Sequence, residues 1–184
     1  MKIPNSERKK ALFLVDIQSA FVNKRNEYVI KNIQNLLEQY PYDVYIVALF
    51  HAEKGSLWDK EEQWICPQDK NFFILNEVKE LLQSKKVYPV EKQTKSVFKG
   101  NRDIVQILKD HSIEEIHLVG FDINDCILAS AYEAFDFGYF TYVIEECCES
   151  SESEKIFTDA CDILREQNMT NNSIVEGMKS IEIL

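Results

Sequence analysis

The run ALFLVD, Ala11 to Asp16, sets the reading of the whole chain: five apolar residues in unbroken succession, then a carboxylate. A strand with one wet face alternates, whereas a continuous apolar run fits a strand buried on both sides, as in a parallel sheet covered by helices. Working outward, Val44 to Phe50 repeats the signature, and Glu115 to Gly120 supplies a further strand. Between the first two, Val29, Ile33, Leu36 and Leu37 recur at helical spacing and predict a helix over Tyr28 to Gln39. Lys86 to Val90 is a weaker strand, which Pro89 confines to an edge or a strand end. Tyr139 to Ile144 supplies a fifth strand and Ser173 to Val175 a place for a sixth; further helices are expected near Asn76 to Gln83 and from Cys126 to about Phe137. Alternating β and α units give an α/β fold with a parallel sheet. No repeat or flexible linker divides the 184 residues, so one domain over 1–184 is expected.

Composition narrows the function classes. Apolar residues make up 45% and charged residues 28%, an ordinary globular balance. A formal charge of −10 repels a phosphate backbone, which argues against a nucleic-acid partner. No apolar stretch approaches a membrane span. The basic residues at 8–10 precede only five apolar ones, too few for a signal peptide, so a cytoplasmic location is expected. The cysteines at 66, 126, 147, 148 and 161 form no C-x-x-C pair and lack zinc-finger histidines, which points to free thiols. The five glycines never form G-x-G, which disfavours a nucleotide cofactor.

An open parallel sheet binds its ligand at the carboxyl ends of its strands. Those ends carry Asp16 and Gln18, then His51, then Lys92 and Phe98, then the turn from Phe121 to Cys126. A carboxylate, an amine and a thiol therefore converge. Cys126, at the first turn of its helix, is expected to have a pKa lowered by the helix dipole, with turn amides placed to surround an oxyanion. Each residue taken singly has a plainer role: Cys126 in the core, Asp16 as a helix cap, Lys92 in solvent. Together they make a better case, because a carboxylate can take the thiol proton while an ammonium steadies both anions. The segment 52–85, with Trp58 and Trp64, reads as an insertion over this end of the sheet.

Three motifs sharpen the reading: LVDIQSAF from Leu14 to Phe21; Lys92 with Phe98 and Gly100 behind it; and VGFDINDCI from Val119 to Ile127, followed by AFDFGY from Ala134 to Tyr139. In order and spacing the chain resembles the isochorismatase-like cysteine hydrolases. That resemblance implies a three-layer α/β/α sandwich with a mostly parallel, about six-stranded sheet, and a homo-oligomer. It implies a catalytic triad of Asp16, Lys92 and Cys126, a cis peptide between Phe121 and Asp122, and oxyanion donors in the backbone amides of Asp122 and Cys126. The expected reaction is C–N hydrolysis of a small amide-like molecule through a thioester. The alternatives are vinyl-ether hydrolysis, a silent binding protein of the same fold, and redox sensing through Cys147 and Cys148. Phe21, His51, Trp58, Phe98 and Phe121 are the expected pocket residues. Two departures stand out: Asp122-Ile123 where small residues or Glu, then Thr, are common, and Phe50-His51-Ala52-Glu53 where a metal-binding D-x-H occurs in the nicotinamidase branch. Neither a metal nor a cofactor is expected.

Overall fold

The structure, a computed structural model, describes residues 8–69 and 72–170. Five parallel strands form one sheet: β1 (Lys10–Val15), β2 (Val44–Phe50), β3 (Val87–Lys92), β4 (Glu115–Gly120) and β5 (Phe140–Cys148), in the order β3-β2-β1-β4-β5. The principal helices are α1 (Tyr28–Gln39), α2 (Leu57–Glu61), α3 (Asn76–Leu82), α4 (Ile104–Asp110), α5 (Leu128–Asp136) and α6 (Glu154–Glu166).

The unbroken apolar runs are explained by burial on both faces. Side chains alternate across a strand, so Phe13, Val15, Ile46 and Leu118 join Leu108, Ala131 and Leu164 of α4, α5 and α6 on one side. Leu12, Leu14 and Val47 meet Ile33 and Leu36 of α1 and Val78 of α3 on the other. Helices thus cover both faces of the sheet, and three layers result. β3 lies at the edge, and its Pro89 stands opposite Val47.

β5 runs four residues beyond the expected Ile144, because Glu145 stays inside the strand at 7% exposure by pairing with Arg165 of α6. Opposite this extension the β4–β5 register slips between Leu118 and Gly120, so that Gly120 pairs with Cys148. The expected sixth strand, Ser173 to Val175, lies outside the described residues. Among the described residues no helix is long and apolar enough to cross a membrane.

Two details fix the strand ends where the site forms. Gly120 has φ +120°, and a Cβ there would sit 2.0 Å from the Val15 carbonyl oxygen; only glycine lets β4 turn this tightly against the end of β1. The Phe121 amide then donates to that same carbonyl at 3.0 Å. Gln18, fully buried, donates to the carbonyls of Phe50 and Phe72 and accepts from the Phe50 amide, stitching the loop after β1 to the end of β2.

Candidate active site

Asp16 follows β1 directly, with its amide on the Ala48 carbonyl and a left-handed φ of 54°. Aspartate tolerates that conformation better than most residues, and here it turns the chain out of the sheet at the carboxylate. Lys92 is the last residue of β3. Its carbonyl accepts from the His51 amide, so the edge strand is held to its neighbour up to that point. Cys126 lies in a single π-helical turn, Ile123–Ile127, that joins β4 to α5. Such turns are uncommon and concentrate at functional sites.

The three side chains meet. Lys92 Nζ donates to Asp16 Oδ2 at 2.7 Å, to Cys126 Sγ at 3.3 Å and to the Thr94 carbonyl at 3.1 Å. Exposure is 0% for Asp16, 2% for Lys92 and 4% for Cys126. Asp16 Oδ1 is buried without a hydrogen-bond partner of its own. It is an open acceptor on a carboxylate whose charge acts directly on the thiol.

Burial governs the protonation of this trio. It pushes the Asp16 carboxyl above the ordinary range, against the opposing pull of Lys92. Desolvation works against the Lys92 charge, yet Asp16 and Cys126 together more than offset it and hold the ammonium above the usual lysine value. The Cys126 thiol is pushed well up, first by burial and then by the Asp16 charge, with Lys92 opposing. This corrects the expectation of a lowered thiol pKa: the turn's amides are present, but loss of solvent and a facing carboxylate outweigh them. Burial and the facing carboxylate thus favour the neutral form of the thiol, while the contact with Lys92 favours the charged form of Asp16.

The turn carrying Cys126 is braced on both sides. The Phe121–Asp122 peptide is cis. The Asp122 carbonyl takes the amides of Asp125 and Ile127, and the Ile123 amide donates to the Glu149 carbonyl. Ser130 Oγ donates to the Cys126 carbonyl at 2.6 Å and accepts from the Val97 amide at 3.0 Å. The Asp122 carboxylate accepts from the Ser151 amide and hydroxyl at 2.6 and 2.7 Å. Burial nevertheless raises its pKa to about 6.

A cavity of about 380 Å³ opens onto Cys126. Phe21 and Trp58 line it, together with Phe50 and Trp64. Phe98 and Phe121 do not. Phe98 packs on Phe13 and Phe137 on the α5 side of the sheet, and Phe121 is fully buried in the core layer beneath α1. His51 also stands off the cavity, edge-on to Phe72 with Glu53 3.7 Å away. The polar wall, which the sequence reading missed, includes Lys95, Asn124, Asp125 and Ser151. For Lys95, Asn124 and Asp125, nearness to Lys92 and Cys126 in the chain was the available signal; Ser151 carried none.

The other two histidines are engaged elsewhere, His117 between Tyr42 and Glu115, His111 with Tyr88. Among the described residues no group of three or more His, Cys, Asp and Glu side chains could hold a metal ion. Cys147, Cys148 and Cys161 are buried, with thiols pushed up by desolvation.

Comparison with known proteins agrees with this architecture. No curated protein matches the sequence. Solved structures do: an isochorismatase-like hydrolase from Alkaliphilus metalliredigens superposes with a TM-score of 0.75 at 19% identity, covering 89% of this chain and 93% of its own. The yeast nicotinamidase gives 0.75 at 16%, covering 88% and 98%. The N-carbamoylsarcosine amidase from Thermoplasma acidophilum gives 0.74 at 18%, covering 88% and 94%. At such identities these likenesses speak for the fold. The family model of the isochorismatase domain, however, matches residues 10–171, nearly the whole chain and every strand described above, and on that match the chain belongs to the isochorismatase domain family.

Proposed function

We propose that this protein hydrolyses the C–N bond of a small amide-like substrate, with Cys126 as nucleophile, Asp16 as general base and acid, and Lys92 as the group that positions both. The observation that carries this reading is the single ammonium within bonding distance of both a buried carboxylate and a buried thiol. A structural ion pair needs no sulfur, and a core cysteine needs no lysine.

The reaction begins with a neutral thiol. As substrate fills the cavity and displaces water, Asp16 Oδ1 takes the thiol proton while Sγ attacks the carbonyl carbon. The raised pKa of Asp16 makes it the stronger base. The amides of Asp122 and Cys126 face the developing oxyanion, which is worth several kcal/mol when donors are fixed in place beforehand. Asp16 returns the proton to the leaving nitrogen, which departs as ammonia or an amine and leaves a thioester. A water then gives its proton to Asp16, its oxygen attacks the thioester carbon, and the C–S bond breaks. The thiolate is reprotonated and the carboxylic acid released. Lys92 stays charged throughout, as its raised pKa requires.

Two of the structures cited above bear the names nicotinamidase and N-carbamoylsarcosine amidase. Both names denote C–N hydrolysis, and this supports amide over vinyl-ether cleavage here. Ammonia release from a panel of small amides and ureides tests the proposal. Cys126→Ala and Asp16→Asn, each shown to be folded, are expected to lose at least a thousandfold in kcat. Wild-type turnover by either variant rejects the scheme.

A further inference from the structure

The cavity wall carries a chemical preference beyond the reaction itself. Four aromatic rings form one side: Phe50 stacks on Trp64 at 5.6 Å and 22°, Trp58 meets Phe50 edge-on at 4.9 Å, and Phe21 lies 5.6 Å from Trp64. Four carboxylates, Glu62, Asp122, Asp125 and Glu152, line the same cavity. The one basic residue lining the same space, Lys95, is bound to Asp125 at 2.5 Å and lies 5.1 Å from the Trp58 ring. Among the described residues no ion pair reaches Glu62, Asp122 or Glu152. Asn124, also on the wall, has its Oδ1 buried with no donor. Asp122 is held by the Ser151 amide and hydroxyl, and the polar groups here without a cationic partner are acceptors or negative charges.

A neutral flat amide would be served by the rings alone, and an anionic one would be repelled by the uncompensated carboxylates. Aromatic faces and carboxylates have one ligand chemistry in common, a positive charge on an apolar frame, attracted to ring quadrupoles and to acidic groups alike. Lys95 already demonstrates the mode, as a cation resting between Trp58 and Asp125.

We propose that the substrate is a cationic amide, in which an ammonium-type group seats between the aromatic wall of Phe50, Trp58 and Trp64 and the carboxylates of Glu62, Asp122 and Glu152, while the amide carbon meets Cys126. The assignment rests on the reading of Cys126 as the nucleophile, but the charge preference is measurable without turnover. Both tryptophans of the chain line this cavity, so tryptophan fluorescence, excited selectively over the eight tyrosines, reports on it. Cys126→Ser protein would be titrated with three probes: 2-(trimethylammonio)acetamide, its neutral isostere 3,3-dimethylbutanamide, and the anionic succinamate. The cation is expected to bind at least tenfold tighter than the isostere, and the anion weakest. The preference should shrink toward unity in Glu62→Gln/Glu152→Gln, both rim positions, and with added salt.

Equal affinity for cation and isostere, tighter binding of the neutral or anionic probe, or no detectable binding of the cation overturns the proposal. Ammonia release from the same probes by wild-type protein reads the other question. Cation preference without release by any amide would refute hydrolysis and leave the charge selectivity standing. Release without cation preference would do the reverse.

Discussion

Replacing Lys92 by methionine keeps the apolar stem and removes the charge that holds Asp16. Both residues are buried to within 2% and bonded at 2.7 Å, so Asp16 in the variant is left ionised without a counter-charge, and protonation is its escape. The cost of that escape is set by the distance between the working pH and the ordinary aspartate value of 3.8 that applies in the unfolded chain. At 1.36 kcal/mol per pH unit it is about 4.4 kcal/mol at pH 7 and about 1.6 kcal/mol at pH 5. The larger figure falls in the range of about 3 to 5 kcal/mol found when one partner of a buried pair is removed. Cys126 can donate to the orphaned carboxylate and relieve part of the loss, so the expected destabilisation at pH 7 is about 3 to 4 kcal/mol. The sign is fixed: a folded-state pKa far above 3.8 means the folded protein keeps a proton that the unfolded chain releases, so stability relative to wild type falls as pH rises. Urea unfolding at pH 5 and pH 7, followed by circular dichroism, measures both losses. Asp16→Asn/Lys92→Met, with neither charge, should lie within about 2 kcal/mol of wild type. A loss below about 1 kcal/mol at pH 7, or the same loss at both pH values, would refute the buried pair.

Three further outcomes follow from the same geometry. Because burial and Asp16 push the Cys126 thiol well up, its alkylation by iodoacetamide at pH 7 should be slower than that of free cysteine; faster labelling in mass analysis would show that the turn's amides win after all. Asp122 titrates near 6 in the folded protein against 3.8 unfolded, so wild-type stability should decline by at most about 3 kcal/mol as pH rises from about 4 to about 6. Asp122→Asn, which can keep both Ser151 contacts, should flatten that slope in unfolding curves, and an unchanged slope would assign it to another group. Gly120→Ala must drive a methyl to 2.0 Å from the Val15 carbonyl at φ +120°; a destabilisation above about 3 kcal/mol is expected in thermal melts, and a near-neutral variant would contradict the close approach of β4 to β1.

β1 and β2 were legible because burial on both faces leaves no alternation to misread: β2 begins and ends where its apolar run does. β5 was cut short at Ile144 because Glu145 looks like a stop, and only Arg165, twenty residues on, makes a buried glutamate acceptable in the strand. The convergence of Asp16, Lys92 and Cys126 was legible from the rule that strand ends meet at one edge of the sheet. The direction of the thiol shift was not, since a helix start is visible in sequence and the depth of a cavity is not. Phe98 and Phe121 were misplaced for a related reason. Adjacent positions on a turn point to opposite layers, and the sequence ties Phe121 to the site by neighbourhood alone, whereas the chain reversal at Gly120 sends its ring into the core.

The strand order explains why a lysine closes the trio. β1 and β4 are neighbours, so a short aspartate after one and a cysteine in the turn after the other are near each other at once. β3 is two strands from β1, a separation of roughly 10 Å at ~4.8 Å per strand. A group reaching from its end must pass over the end of β2, where Phe50 stands in register with Lys92. Lysine has the four-carbon stem to make that crossing, and its ammonium lies 4.9 Å from the Phe50 ring on the way. The same ring then forms part of the cavity wall. A ligand that presses on Phe50 therefore presses on the ammonium that joins Asp16 to Cys126. In the proposed mechanism, filling that wall would remove water from the thiol and bring proton transfer and attack together, so that recognition and chemistry would share one residue.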